Sequence, residues 1–230
     1  MKGVEPTMFS VSEVWKATYP GAAVGVLAMG EVENPERCEA LDEIKEELEA
    51  QIRARYTSQE EVRSLEWLQA YRAYYKRFKK TYHVQMQLES VALKGKSIPS
   101  VAALVEAMFI AELKNLLLTA GHDLDIVEAP VHLDVATGDE RFTRINGQEQ
   151  QLKAGDMFIA DRQGVLSAVI YGPDQRTQIV PGTRRALFTV YAPPGIGAAA
   201  VDQHLQDIAS YARLIAPQAE IELLEVYGTG

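Results

Sequence analysis

Hydrophobic and polar positions follow two different periods along this chain, helical in the first half and strand-like in the second. The apolar run at residues 23–32 is typical of a buried strand. A helix is predicted to begin at Pro35, because apolar residues then recur every three or four positions, at Cys38, Leu41, Ile44, Leu48 and Ile52. The first half therefore combines a buried strand with helices.

Two further helices are predicted from their start signals. Ser58 and Glu61 form an S-x-x-E capping box, so a helix should begin near Gln59 and continue to about Phe78. Ser100 is predicted to cap a third helix, since a largely apolar helical pattern follows it.

After residue 121 the pattern changes to short β-rich segments divided by turn residues. The predicted strands cover residues 124–127, 131–135, 141–145, 157–160, 165–171 and 186–191. Asn146-Gly147 lies between two of them and indicates a tight hairpin. A last helix at 198–215 and a closing strand at 221–226 follow. The sequence thus predicts one mixed α and β domain over residues 1–230, α-rich in its N-terminal half and β-rich in its C-terminal half.

Composition excludes several classes of protein. With 230 residues, 47% of them hydrophobic and 24% charged, the chain can bury a core and should not be disordered. The single cysteine, Cys38, excludes an intramolecular disulfide framework and suits a reducing compartment. No apolar run approaches the roughly 20 residues that a membrane span needs. We therefore expect a cytoplasmic protein with no membrane partner.

Charge is distributed unevenly. The formal net charge is −9, yet residues 71–96 carry seven basic side chains and one acidic one. Cations at helical spacing suit a phosphate backbone, and the interleaved aromatic rings could stack on bases. A structural interpretation also fits, because cations favour a helix C-terminus and aromatic residues at helical spacing pack in cores. At this point both interpretations stay open.

Two other patterns, a possible metal-ligand cluster and a possible dinucleotide motif, favour purely structural interpretations. Five potential metal ligands, His122, Asp123, Asp125, His132 and Asp134, lie close together in sequence, but strand alternation would point His122 away from Asp123 and Asp125. Residues 195–200 match the dinucleotide pattern G-x-G-x-x-A, but this unit stands alone at the end of the chain. We therefore predict neither a metal nor a cofactor, and no motif for an activated nucleophile is present.

Three stretches read together, residues 71–90, 93–105 and 121–142, resemble free-standing relatives of a tRNA-editing domain. This is the B-three/B-four domain of the bacterial phenylalanyl-tRNA synthetase beta subunit. The resemblance continues through residues 146–149 and 157–161 and fades after about Val190. It implies a β-sandwich of unusual topology flanked by helices.

The resemblance also implies a function and its residues. The expected activity is a trans-acting hydrolysis of the ester in mischarged aminoacyl-tRNA. The position that matches the family's editing glutamate is Glu149, which would orient the substrate or a water molecule. His122, Asp123 and Arg141 would line the substrate pocket. The tRNA backbone would be held by Arg72, Lys76, Arg77, Lys79 and Lys80.

The chain departs from the family pattern at several positions. Relatives usually carry Asn where this chain has Ala102 and Phe109, and the family's editing histidine falls nearer Ala120 than His122. These departures favour two alternatives. One is a non-catalytic tRNA- or RNA-binding module, and the other is a small-molecule-binding or partner-docking protein.

Overall fold

A computed structural model of the chain describes residues 8–228, so the predicted domain of residues 1–230 extends beyond the described part at both ends. Within that part the helices are α1 (Glu13–Thr18), α2 (Glu39–Arg55), α3 (Gln59–Ser64), α4 (Glu66–Arg77), α5 (His83–Lys94), α6 (Ala103–Asn115) and α7 (Ala198–Ile215). The strands are β1 (Phe9–Val11), β2 (Ala23–Gly30), β3 (Leu118–Asp123), β4 (Val131–Val135), β5 (Arg141–Thr143), β6 (Glu149–Gln151), β7 (Met157–Asp161), β8 (Gly164–Ala168), β9 (Gly172–Pro173), β10 (Ala186–Ala192) and β11 (Glu220–Gly228).

A four-stranded antiparallel sheet, ordered β11-β2-β10-β3, forms one layer of the core. Both β2 and β10 are buried along their whole length, which explains their continuous apolar sequences. Helix α7 packs on this sheet at Gly25, where an added Cβ atom would lie 2.4 Å from Val201. Only glycine permits so close an approach of helix and strand.

The second layer is a five-stranded sheet ordered β1-β4-β7-β8-β9, in which β1 and β4 are parallel and the other pairs antiparallel. The two sheets meet through buried polar side chains. The ring of His122 on β3 and the hydroxyl of Tyr191 on β10 both contact the Ser167 hydroxyl on β8, at 3.1 and 2.7 Å. Helices flank these sheets, so the predicted β-sandwich-like core with flanking helices is confirmed.

Strands β5 and β6 form the hairpin that Asn146-Gly147 predicts. The Arg144 amide donates to the Gln148 carbonyl at 3.0 Å, and the Gly147 amide donates to the Arg144 carbonyl at 2.8 Å. Gly147 has a φ of +78°, which a residue with a side chain rarely adopts. The loop is therefore one residue longer than the two-residue turn that the dipeptide indicates.

Several local predictions are wrong. The helix predicted from Gln59 to about Phe78 breaks at Leu65, which has extended backbone angles and separates α3 from α4. Residues 124–127 form a turn and not a strand, because β3 ends at Asp123. Helices α1 and α5 and strands β1, β3 and β9 are present without having been predicted.

The predicted helix start at Ser100 is also wrong, since α6 has Ala102 as its N-cap. The Ser100 hydroxyl accepts a hydrogen bond from the Lys45 ammonium at 2.9 Å and is not available as a cap. The backbone amides in the first turn of α6 instead donate hydrogen bonds to a loop that is distant in sequence. Asn34 accepts from the Leu104 amide at 2.9 Å, and the Pro35 carbonyl accepts from the Ala103 amide at 2.8 Å.

Among the helices in residues 8–228, none is both long enough and apolar enough to cross a bilayer.

Candidate functional site

The last turn of α4 places a group of cations side by side. The Lys80 amide donates to the Tyr75 carbonyl at 3.1 Å, and Lys79 adopts a φ of +56°. This left-handed turn normally contains glycine, so a lysine there costs roughly 1 kcal/mol. Backbone strain of this kind tends to persist at functional positions. Here the left-handed turn places Lys79 and Lys80 on the same surface as Lys76.

These cations line an open groove of about 740 Å³ between α4 and α5, called the basic groove here. Its charged lining residues are Arg63, Arg72, Lys76, Lys79 and Lys80, and no carboxylate of residues 8–228 lines it. Within residues 8–228 only Arg63 of these has an ion-pair partner, Glu89 at 3.6 Å. Four of the five cations predicted to hold the tRNA backbone, Arg72, Lys76, Lys79 and Lys80, therefore lie on one continuous surface.

The aromatic residues of the same segment point the other way. Tyr71, Tyr74, Tyr75 and Phe78 are all buried in the core, which leaves them unavailable for stacking on bases. Tyr71 instead anchors α4 to the four-stranded sheet, donating to the Tyr191 carbonyl at 2.6 Å. The cations can thus contact a ligand, whereas the interleaved rings serve the core.

Arg77 lies apart from the other predicted cations. Its guanidinium lies over the Tyr19 ring, 5.2 Å from the centroid, and over those of Tyr74 and Phe78. It lines a neighbouring surface depression together with Lys79 and Lys153. Arg77 is therefore beside the basic groove and not in it.

A second concavity, called the acyl cavity here, has a volume of about 430 Å³ and opens between α6, β3 and the segment 172–179. Most of its lining is apolar, contributed by Val101, Ala102, Val105, Met108, Phe109, Leu118, Ala120, Ile145, Pro173 and Ile179. This combination of an apolar wall and few polar groups is typical of a small-ligand site.

The basic groove and the acyl cavity are neighbours. Tyr82 lines the groove, and the next residue, His83, lines the cavity. On the other side, the Lys80 ammonium lies 5.3 Å from the centroid of the Tyr171 ring, and Gly172 lines the cavity. The two concavities therefore lie close to each other, at the start of α5 and near Gly172.

Two titratable side chains line the acyl cavity. Burial raises the pKa of Glu112 to about 8, so its carboxyl group is mainly protonated at neutral pH. Burial also lowers the pKa of His83, which is neutral at neutral pH as a result. The empty cavity is therefore uncharged near pH 7.

His122 and Asp123, predicted to line a pocket, are buried beside the cavity and line neither concavity. The Nδ1 atom of His122 lies 2.8 Å from the Thr177 hydroxyl, and burial lowers the pKa of His122 to about 3. Asp123 accepts a hydrogen bond from the Thr183 hydroxyl at 2.6 Å. Both side chains instead join β3 to the segment before β10.

Arg141 and Glu149 lie on the β5–β6 hairpin. Arg141 is exposed, donates to the Gln151 side chain at 3.2 Å and lines a separate cleft with Asp174 and Arg176. Glu149 is exposed and makes no side-chain hydrogen bond or ion pair with another residue of the described chain. Its hairpin reaches the acyl cavity through Ile145 and not through Glu149 itself.

Sequence reasoning missed Glu112 and Thr119, the polar residues at the buried side of the cavity. A signal for Glu112 exists in the helical period, because it continues the row formed by Val105, Met108 and Phe109. No such signal exists for Thr119, whose position depends on how β3 packs against α7.

The clustered His and Asp residues and the G-x-G-x-x-A pattern form neither a metal site nor a dinucleotide site in the described chain. Residues 8–228 contain no group of three or more His, Cys, Asp or Glu side chains arranged to hold a metal ion. Gly197 of the G-x-G-x-x-A pattern is the N-cap of α7. The strand before it, β10, is antiparallel to both of its neighbours, whereas the dinucleotide motif belongs to a parallel sheet.

Comparison with known proteins identifies the family. A family model described as the B3/4 domain matches residues 66–214. One similar solved structure is an N-terminal fragment of the phenylalanyl-tRNA synthetase beta-subunit from Pyrococcus horikoshii, at 12% identity and a TM-score of 0.49. That match covers 98% of this chain and 56% of the fragment, so the chain spans little more than half of the fragment's length. No curated protein matches the chain. Because the family match extends over more than half of its residues, the chain belongs to the B3/4 domain family.

Proposed function

We propose that this protein binds the acceptor end of an aminoacyl-tRNA and hydrolyses the ester of a mischarged amino acid. The observation that carries the proposal is that the basic groove lies beside the acyl cavity, with Tyr82 lining the groove and His83 lining the cavity. A tRNA acceptor end combines a phosphate backbone with an aminoacyl group at its terminus. The two concavities match these two parts in charge, in polarity and in order.

The groove favours RNA over an isolated anion. Its cations form a row, as successive phosphates require. Gln85 also lines the groove, and its Oε1 atom is buried without a hydrogen-bond partner while its Nε2 atom donates to Glu89. This oxygen is shielded from solvent by the protein, so the row of cations is the feature that favours RNA.

The cavity favours an apolar amino-acid side chain. A volume of about 430 Å³ accommodates an aliphatic or aromatic side chain, and Val105, Met108 and Ile179 offer it apolar contacts. Ala102 and Phe109, where relatives usually carry Asn, both line this wall. The absence of these amides makes the wall a poor partner for a polar side chain.

The chemistry requires no covalent intermediate. An aminoacyl ester is activated by its neighbouring ammonium, so a positioned water molecule can attack it. Glu149, the exposed carboxylate of the hairpin that reaches the cavity, would orient this water or the substrate. Its role rests on the family resemblance.

A second candidate function is binding of aminoacyl-tRNA without hydrolysis. It is favoured by one specific observation, that Glu149 does not line the acyl cavity. The chain would then hold the acylated end and shield its ester.

A panel of mischarged tRNAs tests both candidates. We expect the protein to deacylate tRNAs that carry apolar noncognate amino acids and Glu149→Ala to lose at least about tenfold in rate. The matched control is Glu220→Ala, which removes an exposed carboxylate from β11 of the four-stranded sheet and should keep the wild-type rate. Binding of the charged tRNA without turnover would favour the second candidate. Absence of tRNA binding at low salt would refute both and favour a small-molecule or partner-docking role.

A further inference from the structure

The buried side of the acyl cavity contains one carboxyl group with an unused oxygen. Glu112, on the last turns of α6, is 1% exposed and lines the cavity. Its Oε1 atom accepts a hydrogen bond from the Thr119 amide at 2.7 Å. Its Oε2 atom has no hydrogen-bond or ion-pair partner within residues 8–228. A buried polar atom that lacks a protein partner in a cavity is available to a ligand.

Behind Thr119, which lines the same side of the cavity, a group of polar side chains is already paired internally. The Asn115 amide donates to the Asp207 carboxylate at 2.8 Å and to Nδ1 of His204 at 3.2 Å. Nε2 of His204 lies 2.7 Å from the Thr119 hydroxyl, so both ring nitrogens have hydrogen-bond partners. Asp207 is further neutralised by the Lys114 ammonium at 3.0 Å. Glu112 alone is left to balance a charge on a ligand.

We propose that Oε2 of Glu112 binds the primary amine of a small apolar ligand in the acyl cavity. Under the proposed function, on which this inference rests, that amine is the α-amino group of the aminoacyl ester. Glu112 would then recognise the amino group, and Glu149 would be left to act on the ester or the water. A charge-assisted bond between an ammonium and a carboxylate is among the strongest available in a site of low polarity.

The proton balance of this binding step follows from the environment. Free Glu112 holds a proton, because no cation lies against it and burial raises its pKa to about 8. When an ammonium group enters, the carboxyl group gives its proton to solvent, and a neutral carboxylate–ammonium pair forms. Binding at neutral pH therefore releases close to one proton.

The neighbouring titratable groups do not change charge in the same range. The phenols of Tyr71, Tyr75 and Tyr82, which interact with Glu112, have pKa values raised by burial. The pKa of His83, on the opposite side of the cavity, is lowered by burial. The pKa of His204 is lowered to about 4. Glu112 is thus the group in this cavity that titrates between neutral and weakly alkaline pH.

Calorimetric titration of the full chain with 3-methylbutylamine tests the proposal, with 3-methylbutan-1-ol as the uncharged probe of the same shape. Near pH 9 we expect the amine to bind at least about tenfold more tightly than the alcohol. Below the Glu112 pKa of about 8, amine affinity should fall about tenfold for each pH unit. Alcohol affinity should not change, and buffers of different ionisation enthalpy should report release of about one proton near pH 7.

Variants identify the carboxylate. Glu112→Gln preserves an acceptor for the Thr119 amide and should remove both the amine preference and the proton release. Wild-type proton release keeps the test valid even if this variant does not fold. Equal binding of amine and alcohol by the wild type, or loss of the preference in Glu149→Gln alone, would overturn the inference. Failure of the amine test in a protein that deacylates tRNA would leave the proposed function intact. Selective amine binding without any tRNA binding would refute the proposed function and keep this site.

Discussion

Two buried carboxyl groups make stability depend on pH. Burial raises the pKa of Glu112 to about 8 and that of Asp156 to about 7, far above their values near 4 in an unfolded chain. Their stabilising contribution is complete below about pH 4, where both states are protonated, and is lost as the pH rises through the folded pKa. Each group can therefore lower the free energy of unfolding by up to about 1.4 kcal/mol per pH unit.

Chemical denaturation between about pH 6.5 and about pH 9 checks this expectation. Within this window the buried histidines do not contribute, because the pKa values of His122 and His204 are lowered and their effect lies below about pH 6.5. Wild-type stability should fall from about pH 6.5 to about pH 8 and then level off. The free energy of unfolding of the Glu112→Gln variant should be nearly independent of pH above about pH 7, whereas that of Glu220→Gln should fall as in the wild type. An unchanged slope in Glu112→Gln would contradict the burial effect.

Single residues differ in how well the sequence indicates their roles. The cations Arg72, Lys76, Lys79 and Lys80 could be grouped in advance because they are close in sequence and share one helix end. Glu112 could not be assigned to a cavity from its helical row alone. Its surroundings come from β3 and from the segment 172–179, which are not contiguous with α6 in sequence.

Helix starts show the same division between local and distant signals. The capping box of Ser58 and Glu61 is confirmed, because both partners of each hydrogen bond lie within four residues. The start of α6 is different, since its N-cap residue, Ala102, offers no side-chain acceptor and the Leu104 amide donates instead to Asn34, 70 positions away in sequence. No local pattern reveals a cap that only the folded chain brings into place.

Removing these two hydrogen-bond acceptors should lower the free energy of unfolding by different amounts. Asn34→Ala should lower the free energy of unfolding by about 2 kcal/mol, because Asn34 is buried and its side chain also donates to the Val180 carbonyl. Ser58→Ala, at a more accessible cap, should cost about 1 kcal/mol or less. Urea denaturation compares them directly. The same comparison tests whether α6, which forms one wall of the acyl cavity, depends on the distant loop; equal costs would argue that it does not.

For the whole molecule, the mixed α and β class was predictable from the sequence pattern and the sandwich from the family resemblance, whereas the cavities were not predictable. Strands β2 and β10 follow from their apolar runs, β4 follows from its alternation of apolar and polar residues, and α7 begins and ends where its periodicity predicts. The order β11-β2-β10-β3, by contrast, joins strands from both ends of the chain. The acyl cavity depends on that order, because β3 becomes an edge strand beside α6.

The charge distribution of the whole molecule predicts how tRNA binding depends on salt concentration. A chain with a net charge of −9 should be repelled by RNA everywhere except at a concentrated basic surface. Four groove cations lack ion-pair partners in the described chain, so each is free to replace a counterion of the RNA. The logarithm of tRNA affinity should therefore fall against the logarithm of salt concentration with a slope of about −3.5.

Charge reversal tests whether that slope belongs to the groove. The double variant Lys76→Glu, Lys79→Glu should weaken tRNA binding strongly and reduce the slope by about 2, since two phosphate contacts are lost. The control Lys94→Glu, Arg162→Glu changes the net charge equally, at exposed residues outside the groove. Overall repulsion would weaken binding alike in both double variants. A loss confined to the groove variant would assign binding to that surface, because long-range charge is largely screened at physiological salt and direct contact is not.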